Sequence, residues 1–240
     1  MTAPAVEALS SVHEQIRACV SCPLHRSRTQ AVPGTGPATA RIMAVGEAPG
    51  QTEDRTGEPF VGAAGQVLTR LLGSIGLRRE DIYITNVIKC RPPLNRDPEP
   101  DEVHACSRFL DAQVELIRPD VILILGRHAL GRLLPDSPGI GRVHGQRVGR
   151  GDRIYVPLYH PAAALHRGDL MRTLEDDMER VRGYLADAEQ QRIRAAAEAD
   201  EQRARAATGA EALPPQTAAG SSGGMAAGAG AAPREQLSLF

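Results

Sequence analysis

Short apolar segments rich in β-branched residues recur along the first three quarters of the chain, and helical patterns separate them. Four of these segments predict β-strands, at residues 41–45, 82–88, 121–125 and 154–159. Their largely unbroken apolar character is typical of strands buried on both faces. Helical patterns lie at residues 6–18, 65–75, 101–117, 128–134 and 170–185. This alternation predicts an α/β fold in which helices cover both faces of a mainly parallel sheet.

Composition divides the 240 residues into four parts. Residues 1–185 carry the apolar patterns and form the predicted folded domain. Residues 186–207 are mostly Ala, Arg, Glu and Gln, which predicts a solvated helical extension. Residues 208–235 are rich in Ala, Gly, Ser and Pro and cannot bury a core, so we expect a disordered linker there. Residues 236–240 form an apolar terminal peptide without a fold of its own.

Hydropathy and charge restrict the classes of function. The chain has no apolar run near the ~18 residues of a membrane span and no secretory signal at its start. We therefore expect a cytoplasmic protein, whose four cysteines are metal ligands or functional thiols rather than disulfides. Because the formal net charge is −1, any contacts to nucleic-acid phosphates must come from a local patch.

The residues whose side chains or backbone could bind a ligand or take part in catalysis follow the ends of the predicted strands. They are Gly46-Glu47-Ala48-Pro49-Gly50, Asn86, Lys89-Cys90, Gly126-Arg127 and His160-Pro161. Ligands of open α/β sheets bind outside the carboxyl ends of the strands, so these segments predict one shared cleft. The alternative is that Gly and Pro only end the strands, but turn chemistry alone does not require Glu47, Asn86 and His160.

Each of these positions has a functional and a structural interpretation. The Glu47 turn has neither dinucleotide nor P-loop spacing, and its carboxylate suits a general base or the stabilisation of positive charge. Phe60 lies among glycines, either as a core residue or as a stacking platform for a planar ligand. Asn86 can pair with the edge of a base or form a turn. His160 can donate a hydrogen bond to a developing anion, or it can be a structural residue that hydrogen-bonds within its own loop.

The cysteines form a more specific pattern. Cys19 and Cys22 make a CxxC motif, and Cys90 and Cys106 follow later in the chain. Four thiolates suffice for Zn²⁺ or for a 4Fe–4S cluster, and zinc modules more often use two CxxC pairs. A thioredoxin-like role is disfavoured because this CxxC precedes the first strand.

Together these motifs resemble the family 4 uracil-DNA glycosylases, the iron–sulfur type of bacteria and archaea, over residues 19–185. The stretches that carry the resemblance are Gly46-Glu47-Ala48-Pro49-Gly50, Glu58-Pro59-Phe60-Val61-Gly62, Thr85-Asn86-Val87-Ile88-Lys89-Cys90-Arg91-Pro92-Pro93, His160-Pro161-Ala162-Ala163-Ala164-Leu165 and the four cysteines. The resemblance implies a three-layer α/β/α fold around a four-stranded sheet. It also implies base-excision repair, in which uracil is flipped out of DNA and its N-glycosidic bond is hydrolysed to leave an abasic site.

The resemblance assigns roles to residues of this chain. The metal ligands are Cys19, Cys22, Cys90 and Cys106, which would hold a structural 4Fe–4S cluster. The substrate-binding residues are Gly46, Glu47, Ala48, Glu53, Phe60, Asn86 and His160. In this interpretation Phe60 stacks on uracil, Asn86 reads its polar edge and His160 hydrogen-bonds O2, while Glu53 helps to exclude the thymine methyl group.

The implied catalytic residues are Glu47, His160 and Asn95. Glu47, or a water that it orients, is the candidate for activation, and Asn95 adds a further contribution. The best-known branch of the superfamily has Asp where this chain has Ala48, which displaces or removes that branch's catalytic carboxylate. Residues 91–100 lack the Arg-rich insertion of a branch that bonds covalently to DNA.

Uracil-containing DNA, single- or double-stranded, is the expected partner of a monomeric enzyme. Arg91 and Arg96 are candidate phosphate contacts, and the loop at 162–167, with Leu165 and Arg167, is the candidate wedge. A second partner is indicated by the terminal peptide, which resembles the segments that dock bacterial repair proteins on the DNA sliding clamp. Its candidate clamp-binding residues are Gln236, Leu237, Leu239 and Phe240.

Two rival functions remain at the level of sequence. A nucleic-acid-binding metal module without catalysis would explain the cysteines and arginines, but it leaves Glu47, Phe60, Asn86 and His160 without a role. A glycosylase of wider scope would act on hypoxanthine or other deaminated bases.

Overall fold

The apolar segments form a single sheet whose strand order is β2-β1-β3-β5-β4. The computed structural model describes residues 3–165 and 167–209. The strands are β1 (Ile42–Gly46), β2 (Tyr83–Asn86), β3 (Val121–Leu125), β4 (Val148–Arg150) and β5 (Arg153–Leu158). Neighbouring strands are parallel except β4, which runs antiparallel to β5. The predicted α/β fold with a mainly parallel sheet is therefore confirmed.

Successive residues of the central strands point into two separate hydrophobic cores, one on each face of the sheet. On β3, for example, Ile122 and Ile124 pack into one core, whereas Val121, Leu123 and Leu125 pack into the other. This arrangement explains why the strands are apolar without alternation, because both of their faces are covered. The three layers follow directly from this burial.

Helices form the two outer layers. The described helices are α1 (Ala3–Arg17), α2 (Gln51–Thr56), α3 (Ala63–Ser74), α4 (Pro100–Ile117), α5 (Arg127–Leu133), α6 (Ile140–Val143), α7 (Pro161–Ala164) and α8 (Gly168–Gly209). Residues of α1, α4 and α5 pack into one core, and residues of α3 and α8 pack into the other. Helix α4 begins sharply, with Pro100 at its first position and a reciprocal capping interaction between Glu99 and Glu102.

The sheet has five strands, so the prediction of four was wrong in number. The missed strand, β4, is three residues long, largely exposed and contains Gly149. It joins β5 through a tight turn in which Gly151 has φ 64°. A short, exposed edge strand has no apolar core-facing pattern, so the sequence signal that marks buried strands is missing.

The second predicted strand also ends earlier than expected, at Asn86 instead of residue 88. The chain bends away after Asn86, and the amides of Val87 and Ile88 donate to the carbonyl oxygens of Gly46 and Glu47 at 2.9 and 3.1 Å. These two hydrogen bonds hold the ends of β1 and β2 side by side, at the sheet edge where polar residues were predicted to meet.

The described residues divide into two units, one that ends at Arg194 and one that begins at Ala195. Helix α8 contributes buried residues as far as Ala188, and residues 190–205 are exposed. The predicted linker at 208–235 lies almost wholly, and the terminal peptide at 236–240 entirely, outside the described residues. Within the described part of the chain, no helix combines the length and apolar character that crossing a membrane requires.

Candidate active site

A cavity of about 370 Å³ opens at the carboxyl ends of the parallel strands. Its wall comprises residues from the segments after β1, β2 and β5, namely Glu47, Ala48, Pro49, Gly50, Glu53, Phe60, Ala64, Asn86, Pro92, Asn95, Arg96, Asp97, His160 and Ala162. The structure thus brings together residues that the sequence placed in one cleft. Gly46 and Gly126 lie behind this wall, and the reason for each glycine is steric.

Gly46 allows two pocket side chains to approach the end of β1. A Cβ atom at this position would lie 2.4 Å from Cζ of Phe60 and 2.5 Å from Oδ1 of Asn86, closer than real contacts permit. Gly126 has φ 94°, and its Cβ would lie 3.0 Å from Cβ of His160. The packing of the pocket wall therefore requires glycine at these two positions, in addition to any role of glycine in ending the strands.

The side chain of Asn86 is almost fully buried, and its Oδ1 atom is a buried polar atom without a hydrogen-bond partner in the described part of the chain. Leaving a buried acceptor unpaired costs on the order of 1–3 kcal/mol. Because Asn86 lines the cavity, a ligand that donates a hydrogen bond there would recover this cost. The amide is thus prepared to recognise a planar ligand with a polar edge.

Phe60 is held in an unusual backbone conformation, with φ 52°. The carboxylate of Glu53 fixes the following turn, since its Oε1 accepts hydrogen bonds from the amides of Val61 and Gly62 at 3.0 and 2.7 Å. On the other side, a Cβ on Gly65 would lie 1.8 Å from the carbonyl oxygen of Phe60, so helix α3 can pack here only with glycine. These constraints present the aromatic ring to the pocket.

His160 caps helix α7, and this interaction determines its tautomer. Its Nδ1 atom accepts a hydrogen bond from the amide of Ala162 at 3.2 Å, so the neutral ring carries its proton on Nε2. Burial lowers the pKa of His160 to about 4, although the charge of Glu53 opposes the shift. At neutral pH the side chain is therefore an uncharged donor, tilted 32° against the ring of Phe60 at a centroid distance of 5.7 Å.

The lowered pKa of His160 predicts an acid sensitivity of the fold. The unfolded chain takes up the proton near pH 6.5 and the folded chain near pH 4, so the free energy of unfolding falls as the pH drops between these values. We expect this group to contribute a loss of up to roughly 3 kcal/mol. Urea unfolding at pH 7 and pH 4.5 should show a smaller loss for His160→Asn, which keeps a helix-capping side chain. Equal losses in the two proteins would contradict the assignment.

Glu47 faces two groups that the sequence analysis did not identify. Its Oε2 lies 3.8 Å from Nε2 of His128, which in turn lies 3.3 Å from Oδ1 of Asp97. Burial raises the pKa of Glu47, His128 opposes the shift and the Asp97 carboxylate adds to it. His128 could have been found by the rule that identified Gly126-Arg127, because it follows the same strand. Asp97 had no such signal, since it lies in an irregular loop.

The loop after β2 contains the other predicted catalytic and DNA-contact residues. Asn95 lines the pocket, and its Oδ1 accepts a hydrogen bond from Nε of Arg91 at 2.7 Å. The guanidinium of Arg96 binds both carboxylate oxygens of Glu102, at 2.7 and 2.9 Å. Arg96 is thus engaged in anchoring the loop to helix α4, whereas Arg91 lies beside the pocket wall.

The predicted wedge segment lies on the opposite side of the pocket. Leu165, at the end of α7, is 43% exposed. Arg167 forms an exposed ion pair with Asp169. Position 166 lies outside the described residues.

The four cysteines line one small cavity, together with Lys89 and Arg28 among others, and all four are free thiols. The fold therefore brings the four predicted ligands to one place.

Positive charge surrounds these thiols. Nη1 of Arg28 donates to Sγ of Cys90 at 3.1 Å. Burial raises the pKa of Cys19, but hydrogen bonds from Ser21 and Arg108 outweigh it and lower the pKa below its ordinary value. Burial raises the pKa of Cys106 to about 11, so metal binding there must displace a proton.

Lys89 connects the cysteine cavity to the pocket. Its fully buried ammonium group donates to the carbonyl oxygen of Asn86 and to the side chains of Thr85 and Gln113, at 2.6 to 2.7 Å. Burial lowers the pKa of Lys89 to about 7. Lys89, which precedes Cys90 in the chain, therefore holds the backbone of Asn86, whose side chain lines the pocket.

Comparison with known proteins assigns the chain to a family. The family model described as Uracil DNA glycosylase superfamily matches residues 33–182. The chain belongs to the uracil-DNA glycosylase superfamily. It is 48% identical over 185 residues to the type-4 uracil-DNA glycosylase of Archaeoglobus fulgidus, which covers 73% of this chain and 92% of that protein. It is 47% identical to the type-4 enzyme of Saccharolobus solfataricus and 45% identical to that of Sulfurisphaera tokodaii, with 74% of this chain covered in each case and 87% and 84% of the relatives.

The part of the chain that matches the uracil-DNA glycosylase superfamily contains the whole pocket. The family match spans all five strands and every pocket-lining residue, and the relatives named above are all of type 4. The resemblance inferred from the motifs is therefore confirmed.

Proposed function

We propose that this chain excises uracil from DNA by hydrolysing the N-glycosidic bond, as a monofunctional glycosylase of base-excision repair. The observation that carries the proposal is the unpaired Oδ1 of Asn86, buried in a pocket that also presents the ring of Phe60 and a neutral His160. Uracil offers the complementary groups, because its ring is planar and its N3–H donor lies between the two carbonyl acceptors O2 and O4. The base would enter the pocket only after leaving the DNA stack.

The residues of the pocket take the roles that the chemistry needs. When the glycosidic bond breaks, its electron pair goes to uracil, and the sugar becomes an oxocarbenium-like cation that adds water at C1′. The added water loses one proton to solvent, and the uracil anion takes up one proton on release. His160 donates its Nε2 proton in a hydrogen bond to O2, where negative charge develops, and Asn86 accepts from N3–H. Glu47 meets the positive charge or orients the water, and Asn95 adds a contact from the facing loop.

Exclusion of thymine follows from the wall that holds Phe60. Glu53 fixes the Phe60 turn through two backbone amides, and it lines the same cavity. A methyl group at C5 of the base would have to displace this rigid, hydrogen-bonded wall together with Ala48. We therefore assign discrimination against thymine to the Glu53 wall as a whole.

The cysteines support a 4Fe–4S cluster held by Cys19, Cys22, Cys90 and Cys106. The four cysteines line one cavity, and the nearby Arg28 and Arg108 would offset the negative charge of such a cluster. When bound, the group supplies cross-links between helix α1, the β2 end and helix α4 rather than a redox step. Lys89 then ties this region to the backbone of Asn86.

DNA is held at the rim of the pocket by contacts to phosphates and to the base stack. Arg91 is a proposed phosphate contact, and the loop with Leu165 and Arg167 fills the gap that the flipped nucleotide leaves. Arg96 would contact a phosphate only if the phosphate replaced the Glu102 carboxylate as the partner of its guanidinium group. The proposed enzyme acts in the cytoplasm as a monomer.

Release of free uracil tests the proposed function. We expect the protein to release uracil from a single-stranded oligonucleotide with one deoxyuridine, in the presence of a chelator and without added metal. A matched strand with thymine at that position should remain intact. Protein that retains its iron but releases no uracil would contradict the assignment and favour a DNA-binding module.

The terminal peptide supplies a further proposed partner, the bacterial sliding clamp. Gln236, Leu237, Leu239 and Phe240 provide one polar and three apolar anchors after a linker, although these positions lie outside the described residues. Tethering would raise the local concentration of the enzyme beside DNA. We expect deletion of residues 236–240 to abolish binding to immobilised clamp and to leave uracil release from short oligonucleotides unchanged. A chain with these five residues in reversed order is the control, and clamp binding by the deleted chain would refute the proposal.

A further inference from the structure

The loop between β2 and α4 presents an apolar side chain to solvent on a strained backbone. Leu94 is 96% exposed, and Leu94 and the next residue, Asn95, have φ values of 55° and 54°. Left-handed backbone is unfavourable for residues with a Cβ atom, and two such residues in succession are rarely found without a reason. The loop therefore keeps Leu94 exposed against both its hydropathy and its backbone preference.

Specific interactions maintain this conformation. The amides of Asn95 and Arg96 donate to the carbonyl oxygens of Pro92 and Pro93, both at 3.1 Å. The Arg91 side chain binds Asn95, and the Arg96 guanidinium binds Glu102, which is buried at the start of helix α4. The loop is thus a fixed support for Leu94 rather than a free segment.

The position of the loop identifies the ligand. Pro92, Asn95 and Arg96 line the proposed uracil pocket, so Leu94 stands at its rim on the β2 side. Leu165 stands on the β5 side, after Ala162 of the same pocket wall. A nucleotide in this pocket would bring the adjoining base pairs towards both leucines.

We propose that Leu94 inserts into the DNA base stack beside the extruded nucleotide, as a second wedge that acts together with Leu165. This inference rests on the proposed uracil excision. Apolar side chains that enter between base steps offset the cost of unstacking by burying their own surface. A rigid loop suits this role because its conformation does not have to be ordered when DNA binds.

A comparison of duplex and single-stranded substrates distinguishes a wedge residue from a residue that lines the pocket. Duplex DNA must be unstacked before the base can be flipped, whereas a single strand needs little of this work. We expect Leu94→Ala to lower kcat/KM about tenfold on duplexes with a U·A pair and less than about threefold on the same uracil in a single strand. Leu94→Met, which keeps an apolar side chain, should restore most of the duplex activity.

Further variants keep the test independent of folding. Leu94→Gly also removes the side chain but adopts positive φ without strain, so it should show the same selective loss as Leu94→Ala. Ile193→Ala, which truncates another exposed apolar residue at 54% exposure on helix α8, is the matched control and should behave as the wild type. Fluorescence of 2-aminopurine beside the uracil should rise less on binding to the Leu94→Ala and Leu94→Gly variants.

The possible outcomes test the wedge role of Leu94 separately from the proposed uracil excision. If wild type releases uracil and the Leu94 variants match it on duplexes, the wedge is refuted while the proposed function stands. Equal losses on single and double strands would place Leu94 in the pocket and also refute the wedge. If wild type releases no uracil from either substrate, the proposed function itself fails.

Discussion

We expect the His160→Ala variant to excise uracil about 10²–10³ times more slowly than the wild type, which is the usual effect of removing one preorganised donor to a developing anion. The donor is well defined here, because Nδ1 of His160 is occupied by the amide of Ala162 and the proton lies on Nε2. Single-turnover measurements on a single-stranded substrate isolate the chemical step from unstacking. The variant should retain its iron, because His160 lies outside the cysteine cavity.

The control for this experiment is His104→Ala, which removes an exposed histidine of helix α4 outside the pocket. Its rate should equal that of the wild type. Asn86→Ala should lose excision as well, because the acceptor for the uracil edge disappears. An unchanged rate in both His160→Ala and Asn86→Ala would show that uracil does not bind as proposed.

The second large effect is expected for Cys106→Ser. If the four cysteines hold the proposed cluster, loss of one ligand should remove its iron and its colour, and we expect the Tm to fall by about 10 °C or more, since a structural metal site contributes folding free energy directly. Cys106 is on helix α4 and Cys19 follows helix α1, so the cluster would join two helices of the same layer. Iron analysis, visible absorbance and thermal unfolding measure the three consequences.

Ser107→Ala provides the matched control, because it changes the neighbouring residue on the same helix and leaves all four thiols in place. Its iron content and Tm should stay close to those of the wild type. One equivalent of zinc without iron in wild-type protein purified anaerobically would overturn the cluster proposal. A Cys106→Ser variant with full iron content would remove Cys106 from the ligand set.

Most of the architecture could be predicted because burial on both faces leaves a direct mark on the sequence. Strand β3 is the clearest case, since its predicted and observed limits coincide at Val121 and Leu125. The short strand β4 carries no such mark, because its side chains are largely exposed and it pairs only along one edge. Helix α2 was not predicted for a different reason, because its six residues, Gln51–Thr56, include no apolar side chain that could mark a helical period.

The pocket was predictable as a meeting of strand ends, although its chemistry was not. Parallel strands bring their carboxyl ends to one edge, and this rule alone predicts that Glu47, Asn86 and His160 meet there. The placement of Asp97 and His128 around Glu47 depends on how an irregular loop packs against helix α5, and no periodic pattern records that packing.

The sequence alone determined the layered fold, the family and the meeting of Glu47, Asn86 and His160 at the strand ends, because burial, turn chemistry and motif spacing act locally along the chain. Only the tertiary structure decided which atom of His160 donates, that Asn86 keeps an unpaired acceptor and that Leu94 stands exposed on a rigid loop. Tautomers, pKa values and unpaired atoms arise from neighbours that are distant in sequence. They become defined only when folding removes water and sets those neighbours at fixed distances.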